Sequence, residues 1–308
     1  MAAYLIKRLI QGAMVLAIVS FLTFTVMFFM PGDPARQMVG QARVTEAQLE
    51  TIREKWGLND PFHERFLSWI TNLLSGDLGT SMMRPGQAIG DMIRDASLMT
   101  IQLTSLSFII SMSVAIPVGI LAATRKNSLL DYLSTIGSTA GVAIPNYWIG
   151  IMGIVVFSQQ LGWLPAYGAD SWKGYIMPVV VLSIEEMAAV MRLMRGTTIE
   201  VLGQDYIKTA QAKGLSRYAV LFRHVVKNAF LPVITLIGYR IAFILSGTIV
   251  IETVFAWPGL GQLFFDAISN QDLQVVQAIV MLLTLIVVTM NILTDLTYAL
   301  IDPRVRVQ

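Results

Sequence analysis

Residues 205–233 read DYIKTAQAKGLSRYAVLFRHVVKNAFLPV, a polar, basic helical pattern broken by one glycine and flanked on both sides by apolar stretches. Asp205 opens a short helix that Tyr206 to Lys213 favour, and Gly214 offers a left-handed stop. Leu215 to Asn228 then resume a basic helix ahead of Leu231 and Pro232. This predicts helix, turn, helix at a membrane surface. Thr209, Ala210 and Ala212 beside Gly214 make a small-residue face that lets a second protein come close to the backbone. Two plainer readings stand beside it: a solvated loop, and an interfacial helix held on anionic lipid by Lys208, Lys213, Arg217 and Arg223.

The rest of the chain supplies the membrane. Of 308 residues, 55% are hydrophobic and 14% charged, with a mean hydropathy of +0.64; a soluble domain carries roughly 25% charge. A hydrocarbon core about 30 Å thick needs roughly 20 apolar residues per helix. Six stretches qualify, at about 9–30, 98–123, 135–158, 176–197, 231–251 and 274–300. The first follows Lys7 and Arg8 and has no small-residue cleavage site behind it, so it is expected to be a retained span. Pro117 and Pro145 are expected to be tolerated inside their spans. With no cysteine there are no disulfides or thiolate sites, and a net charge of +2 gives no reason to expect a nucleic-acid partner.

Orientation follows from the basic residues. With the N-terminus inside, thirteen of the 22 Lys and Arg fall in cytoplasmic segments, among them Arg125, Lys126, Arg192, Arg195, Arg304 and Arg306. Stretch 252–272 on the other side carries Glu252, Asp266 and Asp272 and no base. The positive-inside rule then puts both termini, and the basic segment 198–230, in the cytoplasm. Segment 31–97, with seven bases and nine acids, falls outside as a helical insertion in an otherwise single domain over 1–308. Two helices are predicted there: one capped by Thr45 with Gln48 and stopped by Gly57, the other opening at Asp60-Pro61 and ending at Gly76. In the second, Phe62, Phe66, Trp69, Ile70 and Leu73 share a face that either packs on the membrane helices or meets an external binding protein.

Catalytic inventories are missing. The two histidines, His63 and His224, fall on opposite predicted sides, no metal-ligand spacing or nucleophile elbow occurs, and Gly-Lys never appears, so there is no Walker A loop. Gly137 and Gly141 form a GxxxG pattern that marks a close helix contact. Ionisable residues do enter the spans: Glu185, Glu186 and Arg240 all fall near mid-depth, where a structural ion pair, a lined pathway and a misplaced boundary are all open readings. In the pathway reading Arg240 would attract an anionic group of a substrate. Asp295 lies nearer the cytoplasmic interface.

The motifs YIKTAQAKGLS (206–216) and VVKNAFLPVI (225–234) resemble the Glu-Ala-Ala coupling loop of the membrane subunits of ABC importers, in the dipeptide, oligopeptide and glutathione branch. FFMPGDPAR (28–36), GDLGTSM (76–82), LGWLPAYG (161–168) and ETVFAWPGLGQLFFDAI (252–268) resemble the same branch in the same order, so the likeness covers nearly the whole chain. It implies an all-α polytopic fold of the type I importer permease class with six transmembrane helices, in the cytoplasmic membrane of a prokaryote. It implies as partners a homologous second permease, two cytoplasmic ATPases that bind the ATP and Mg, an extracytoplasmic solute-binding protein and membrane lipid. This chain would then be a transport subunit and not an enzyme, with no cofactor or metal of its own and no nucleic-acid partner. The coupling residues implied are Asp205, Tyr206, Lys208, Thr209, Ala210, Ala212, Lys213, Gly214 and Leu215.

Aligned on Gly214, the Glu-Ala-Ala of the general motif corresponds to Lys208, Thr209 and Ala210, so a base stands where the motif has an acid. Glu185, Glu186 and Arg240 match no motif of the family. They support the competing class, a self-sufficient secondary transporter or channel that uses these charges without ATPase partners. An intramembrane enzyme ranks below both, because no nucleophile and base set is present.

Overall fold

The computed structural model describes the backbone of residues 2–39 and 44–301, and the side chains within them except at 2–4, 37, 239, 241–247 and 294–301. The side chain of Asp295, and all of Asp302, Arg304 and Arg306, lie outside the described residues. In chain order the helices are α1 (Ala2–Phe28), α2 (Pro34–Val39), α3 (Glu46–Lys55), α4 (Phe62–Ser75), α5 (Ile89–Thr124), α6 (Leu129–Ala143) and α7 (Asn146–Gly153). Then follow α8 (Trp172–Leu202), α9 (Asp205–Ala212), α10 (Arg217–Ala219), α11 (Lys227–Val254), α12 (Leu260–Ser269) and α13 (Leu273–Ile301). Ile154–Gln160 after α7 and Val220–Val226 between α10 and α11 are wound as π-helix. The chain is all-α, with a single isolated bridge between Thr80 and Ala88 among the described residues.

Local chemistry accounts for most of the boundaries. Thr45 and Gln48 form the expected capping box at the start of α3, and Gly57 and Gly76 end their helices with φ of +59° and +82°. Pro145 does more than the sequence predicts. Ile144 before it is extended, as the residue preceding a proline prefers, and the stretch expected as one span over 135–158 breaks there into helices bent by 97°. Pro117, Pro178 and Pro232, by contrast, lie inside α5, α8 and α11. The basic segment is not separate from the fifth span either, for helical winding runs unbroken from Arg217 to Val254.

Among the described residues four helices are long and apolar enough to cross a membrane: Leu5–Phe28, Ile89–Thr124, Arg217–Gly238 and Leu273–Leu293. The bent pair Leu129–Ala143 and Asn146–Gln160 makes a fifth if it counts as one span. The remaining apolar stretch lies on α8, which carries Glu185, Glu186, Arg192 and Arg195.

Packing divides the chain into two compact units, 1–99 with 259–308 and 100–258, and the first boundary falls within α5. In the first unit α1 lies on α13 so closely that a Cβ at Gly12 would come within 2.7 Å of Val288 Cγ1. Its core joins Ile89 and Ile93 of α5, Leu260 and Leu263 of α12, and Val275 and Ile279 of α13. The aromatic stripe of α4 packs on α1: the Phe24 ring has Phe62, Phe66 and Trp69 around it at 5.4, 5.3 and 5.5 Å. Asp272 caps the turn before α5, accepting from the Ser81 hydroxyl and from the N–H groups of Met82 and Met83.

In the second unit α8 is the central element. Small residues bring α5 and α6 against it, as lipid-solvated helices require when no hydrophobic force drives them together. A Cβ at Gly119 would lie 2.9 Å from the Met191 carbonyl oxygen, and one at Gly141 would lie 3.0 Å from Ala188 Cβ. Of the predicted glycine pair only Gly141 makes this contact, since a Cβ at Gly137 meets nothing within 4 Å. Ser183 donates to the Ser107 carbonyl at 3.0 Å and Ser111 to the Ser183 carbonyl at 3.2 Å, stitching α5 to α8.

Candidate functional site

The basic segment 205–233 folds as expected in its main features. α9 runs from Asp205 to Ala212, and Gly214 follows with φ +79°. Ser216 then caps the next helix by accepting from the Ala219 N–H at 3.3 Å. Ile207 and Ala210, three residues apart and so on one face, are buried against Val220 and Val225. Ala210 is therefore packed inward, and the outward small face keeps Thr209 and Ala212 without it.

Asp205, Lys208, Thr209 and Ala212 occupy i, i+3, i+4 and i+7 of the exposed face, with Tyr206, Lys213, Gly214 and Leu215 exposed beside them. Lys208, which stands where the general motif has an acid, pairs with Asp205 at 2.8 Å, an exposed contact of little energetic weight. Asn228 of α11 donates to the Tyr206 hydroxyl at 3.0 Å and fastens α9 to the helix that continues into the membrane span. A short helix buttressed on one face, tied to a long helix and offered outward on the other can pass a push along that helix. The surface is cationic: Lys208, Lys213, Arg217, Arg223 and Lys227 oppose the one acid, Asp205.

Glu185, Glu186 and Arg240 do come together, from α8 and α11. Arg240 Nη1 is 3.0 Å from Glu186 Oε1 and 3.5 Å from Glu185 Oε1. Glu186 is the more buried acid, and its second oxygen has no hydrogen-bond partner. Glu185 remains 46% exposed, and besides Arg240 it has a long 3.5 Å contact from the Asn146 amide. Two carboxylates thus share one guanidinium. The surplus negative charge argues against Arg240 as a bare attractor of anions, because both acids already claim it.

Like Asp272, Glu252 and Asp131 are buried acids whose partners lie far off in the sequence. Glu252, expected in an outer loop, belongs to α11, is fully buried and accepts from the Thr100 hydroxyl at 2.7 Å. The motif that follows it is largely packing: Trp257 is fully buried edge-on to Tyr175, ring centroids 4.5 Å apart. Asp131 of α6 and Arg195 of α8 form a two-pronged pair, with Arg195 Nε and Nη2 at 2.5 and 3.0 Å from the carboxylate. The spacing of Ser128 and Asp131 carried a readable signal, since Ser128 caps α6 by accepting from the Asp131 N–H. Nothing local announced the arginine 64 residues on.

Comparison with known proteins agrees with this architecture. Residues 115–307 match the family described as binding-protein-dependent transport system inner membrane component, and residues 1–90 match its N-terminal companion. The chain is 38% identical over 315 residues to the oligopeptide transport system permease protein AppB of Bacillus subtilis (strain 168), covering 99% of both chains. It is 39% identical over 308 residues to the glutathione transport system permease protein GsiC of Escherichia coli O6:H1, again covering 99% of each. In fold it is similar to a chain of a solved amino acid ABC transporter crystallised with histidines, with a TM-score of 0.53 at 14% identity, covering 68% of this chain and 93% of that one. A chain of the MetNI methionine ABC transporter gives a TM-score of 0.50 at 17% identity, covering 66% and 95%.

Proposed function

The chain belongs to the family of binding-protein-dependent transport system inner membrane components, and on that premise we propose that it is the permease subunit of an ATP-driven importer of peptides, glutathione-like solutes included. The cargo class rests on the names of the full-length relatives. The partners in this reading are a homologous permease, two cytoplasmic ATPases that bind ATP and Mg, and an extracytoplasmic binding protein. The chain itself contributes transport and no catalysis. Six spans, with both termini and segment 198–230 in the cytoplasm and segment 31–97 outside, complete the topology.

The observation that carries the coupling role is the exposed, cationic α9 closed by the left-handed Gly214 and tied through Asn228 to α11. Nucleotide-driven movement of the ATPases would reach the spans through this joint, provided each nucleotide state favours one permease conformation over the other. Glu185, Glu186 and Arg240 are proposed to line the pathway, where a half-exposed carboxylate at mid-span meets water or cargo and not lipid.

Purification in mild detergent, with mass spectrometry of the accompanying chains and an ATPase assay, tests the reading. Recovery of a second permease and of ATPases whose activity the binding protein stimulates is expected. A chain that purifies alone and transports in ATPase-free vesicles overturns the proposal in favour of a self-sufficient transporter.

A further inference from the structure

A cavity of about 260 Å³ lies within the first unit, between α1, α4, the turn after α4 and the start of α13. Its position fixes its depth. Phe24, Met27 and Phe28 come from the last turn of the apolar run Leu5–Phe28, while Leu273, Gln274 and Gln277 come from the first turns of the run Leu273–Leu293. Both runs end here, so the cavity sits where hydrocarbon gives way to headgroups. The aromatic rings of α1 and α4 crowd the same level, as aromatic belts do.

The polar lining is unfinished. Arg65 lies half-buried over the Phe28 ring, 5.1 Å from its centroid, with a single long hydrogen bond of 3.4 Å to the Leu58 carbonyl. Among the described residues no carboxylate lies within ion-pair distance of it, and burial lowers its pKa from the ordinary arginine value against the weaker attraction of the Asp60 carboxylate. The Gln274 side-chain oxygen is buried without a hydrogen-bond donor. Gln277, 6% exposed, makes no side-chain hydrogen bond among the described residues. Asp60, Glu64 and Asp77 complete the charged lining. The site therefore asks for one anionic group, for Arg65, and one cationic group rich in N–H donors, for the carboxylates and Gln274.

We propose that this cavity holds the headgroup of a phospholipid with a primary ammonium, the phosphate on Arg65 and the ammonium toward Gln274 and the acids, with the acyl chains outside among the apolar spans. Size supports a headgroup over a whole peptide, since 260 Å³ falls just short of the roughly 300 Å³ at which small-molecule pockets begin. A phosphoglycerol head leaves the carboxylates unanswered, and a choline head offers no N–H to Gln274. The inference needs only a membrane-spanning chain and does not depend on the importer reading.

The test is native mass spectrometry of the delipidated full-length protein, purified with whatever chains accompany it and titrated with dioleoyl phosphatidylethanolamine, phosphatidylcholine or phosphatidylglycerol. Retention of the ethanolamine lipid over either other lipid by roughly tenfold is expected, with a loss of similar size in Arg65→Gln and none in Arg36→Gln, which alters an exposed arginine elsewhere in the unit. Equal retention of the three lipids, or equal retention by wild type and Arg65→Gln, overturns the site. Should Arg65→Gln fail to insert, Ser68→Phe fills the cavity from an exposed lining position without touching a charge, and it must displace the lipid or the proposal fails. Displacement of the lipid by excess trialanine would reassign the cavity to peptide and also overturn it.

Discussion

Helix α8 carries two arginine–carboxylate assemblies that look alike in sequence and differ in kind. At one, Arg195 of α8 grips Asp131 of α6 with two nitrogens, one base to one acid, and the Asp131 side chain is 5% exposed. At the other, Arg240 of α11 is shared by Glu185 and Glu186, one oxygen of Glu186 is unsatisfied, and Glu185 is 46% exposed. Balance and closure mark the first as a fastener between helices. Surplus charge and exposure at the second are what support the pathway role proposed for it. Burial of charge in a span is costly in either case, and what distinguishes structure from pathway is whether the cost has been settled inside the protein.

The largest effect expected from this contrast is at the closed pair. Asp131→Ala leaves Arg195, which is 28% exposed, without its partner and should lower stability by about 2 kcal/mol, less than for a fully buried charge, read as loss of thermal stability in detergent. Adding Arg195→Met should recover much of that loss, because removing both charges costs less than stranding one. A double variant as unstable as the single one would break the comparison.

At the open assembly the effect should move from stability to transport. Glu185→Gln should change stability by less than about 1 kcal/mol, since the carboxylate is half exposed. ATP-driven uptake should fall by roughly tenfold, about 1.4 kcal/mol in the transport barrier. Unchanged uptake with intact expression would leave the triad a second fastener. Loss of stability on the scale of Asp131→Ala would erase the distinction altogether.

The smallest effect is expected at a third pair, outside the spans. Arg53 lies 2.6 Å from Asp33, and this hydrogen bond is the main cause holding the Asp33 carboxyl below its usual value. A depressed carboxylate pKa contributes stability that is present above the ordinary value and lost as pH falls through the lowered one. The pair should hold at pH 5 and weaken only in the acid range, and Asp33→Asn should flatten that part of the stability profile. An effect of Asp33→Asn that is as large in acid as at neutral pH, or that goes on growing above pH 5, would contradict the assignment.

How much of this was legible depended on the distance over which each interaction acts. The capping box of Thr45 and Gln48, the left-handed stops at Gly57, Gly76 and Gly214, and the extent of α9 are settled by neighbours within one turn, and the sequence predicts them. The aromatic stripe of α4 was readable as a face, although its partner on α1 was not. Pro145 shows the limit of a local rule, since a proline inside an apolar run is tolerated at Pro117 and breaks the helix at Pro145, and only the surrounding packing decides which. The burial of Glu252 and Asp131 is not legible, because their partners, Thr100 and Arg195, lie 152 and 64 residues away. Ala210 is legible only as a small residue, which fits both a docking face and a tight core, and the core formed with Val220 and Val225 claims it.

The proposed joint is most directly tested by comparing two glycines with the same backbone demand. Gly214 and Gly76 have φ of +79° and +82°, and a Cβ at either meets nothing within 4 Å, so Gly214→Asp and Gly76→Asp impose similar backbone strain and no internal clash. The measurement is the amount of ATPase subunit that co-purifies with each variant, with ATP-dependent uptake in reconstituted vesicles alongside. Gly214→Asp is predicted to lose the ATPases and uptake while inserting normally, and Gly76→Asp to keep the ATPases bound. Equal retention by the two variants would contradict the assignment of 205–215 as the joint.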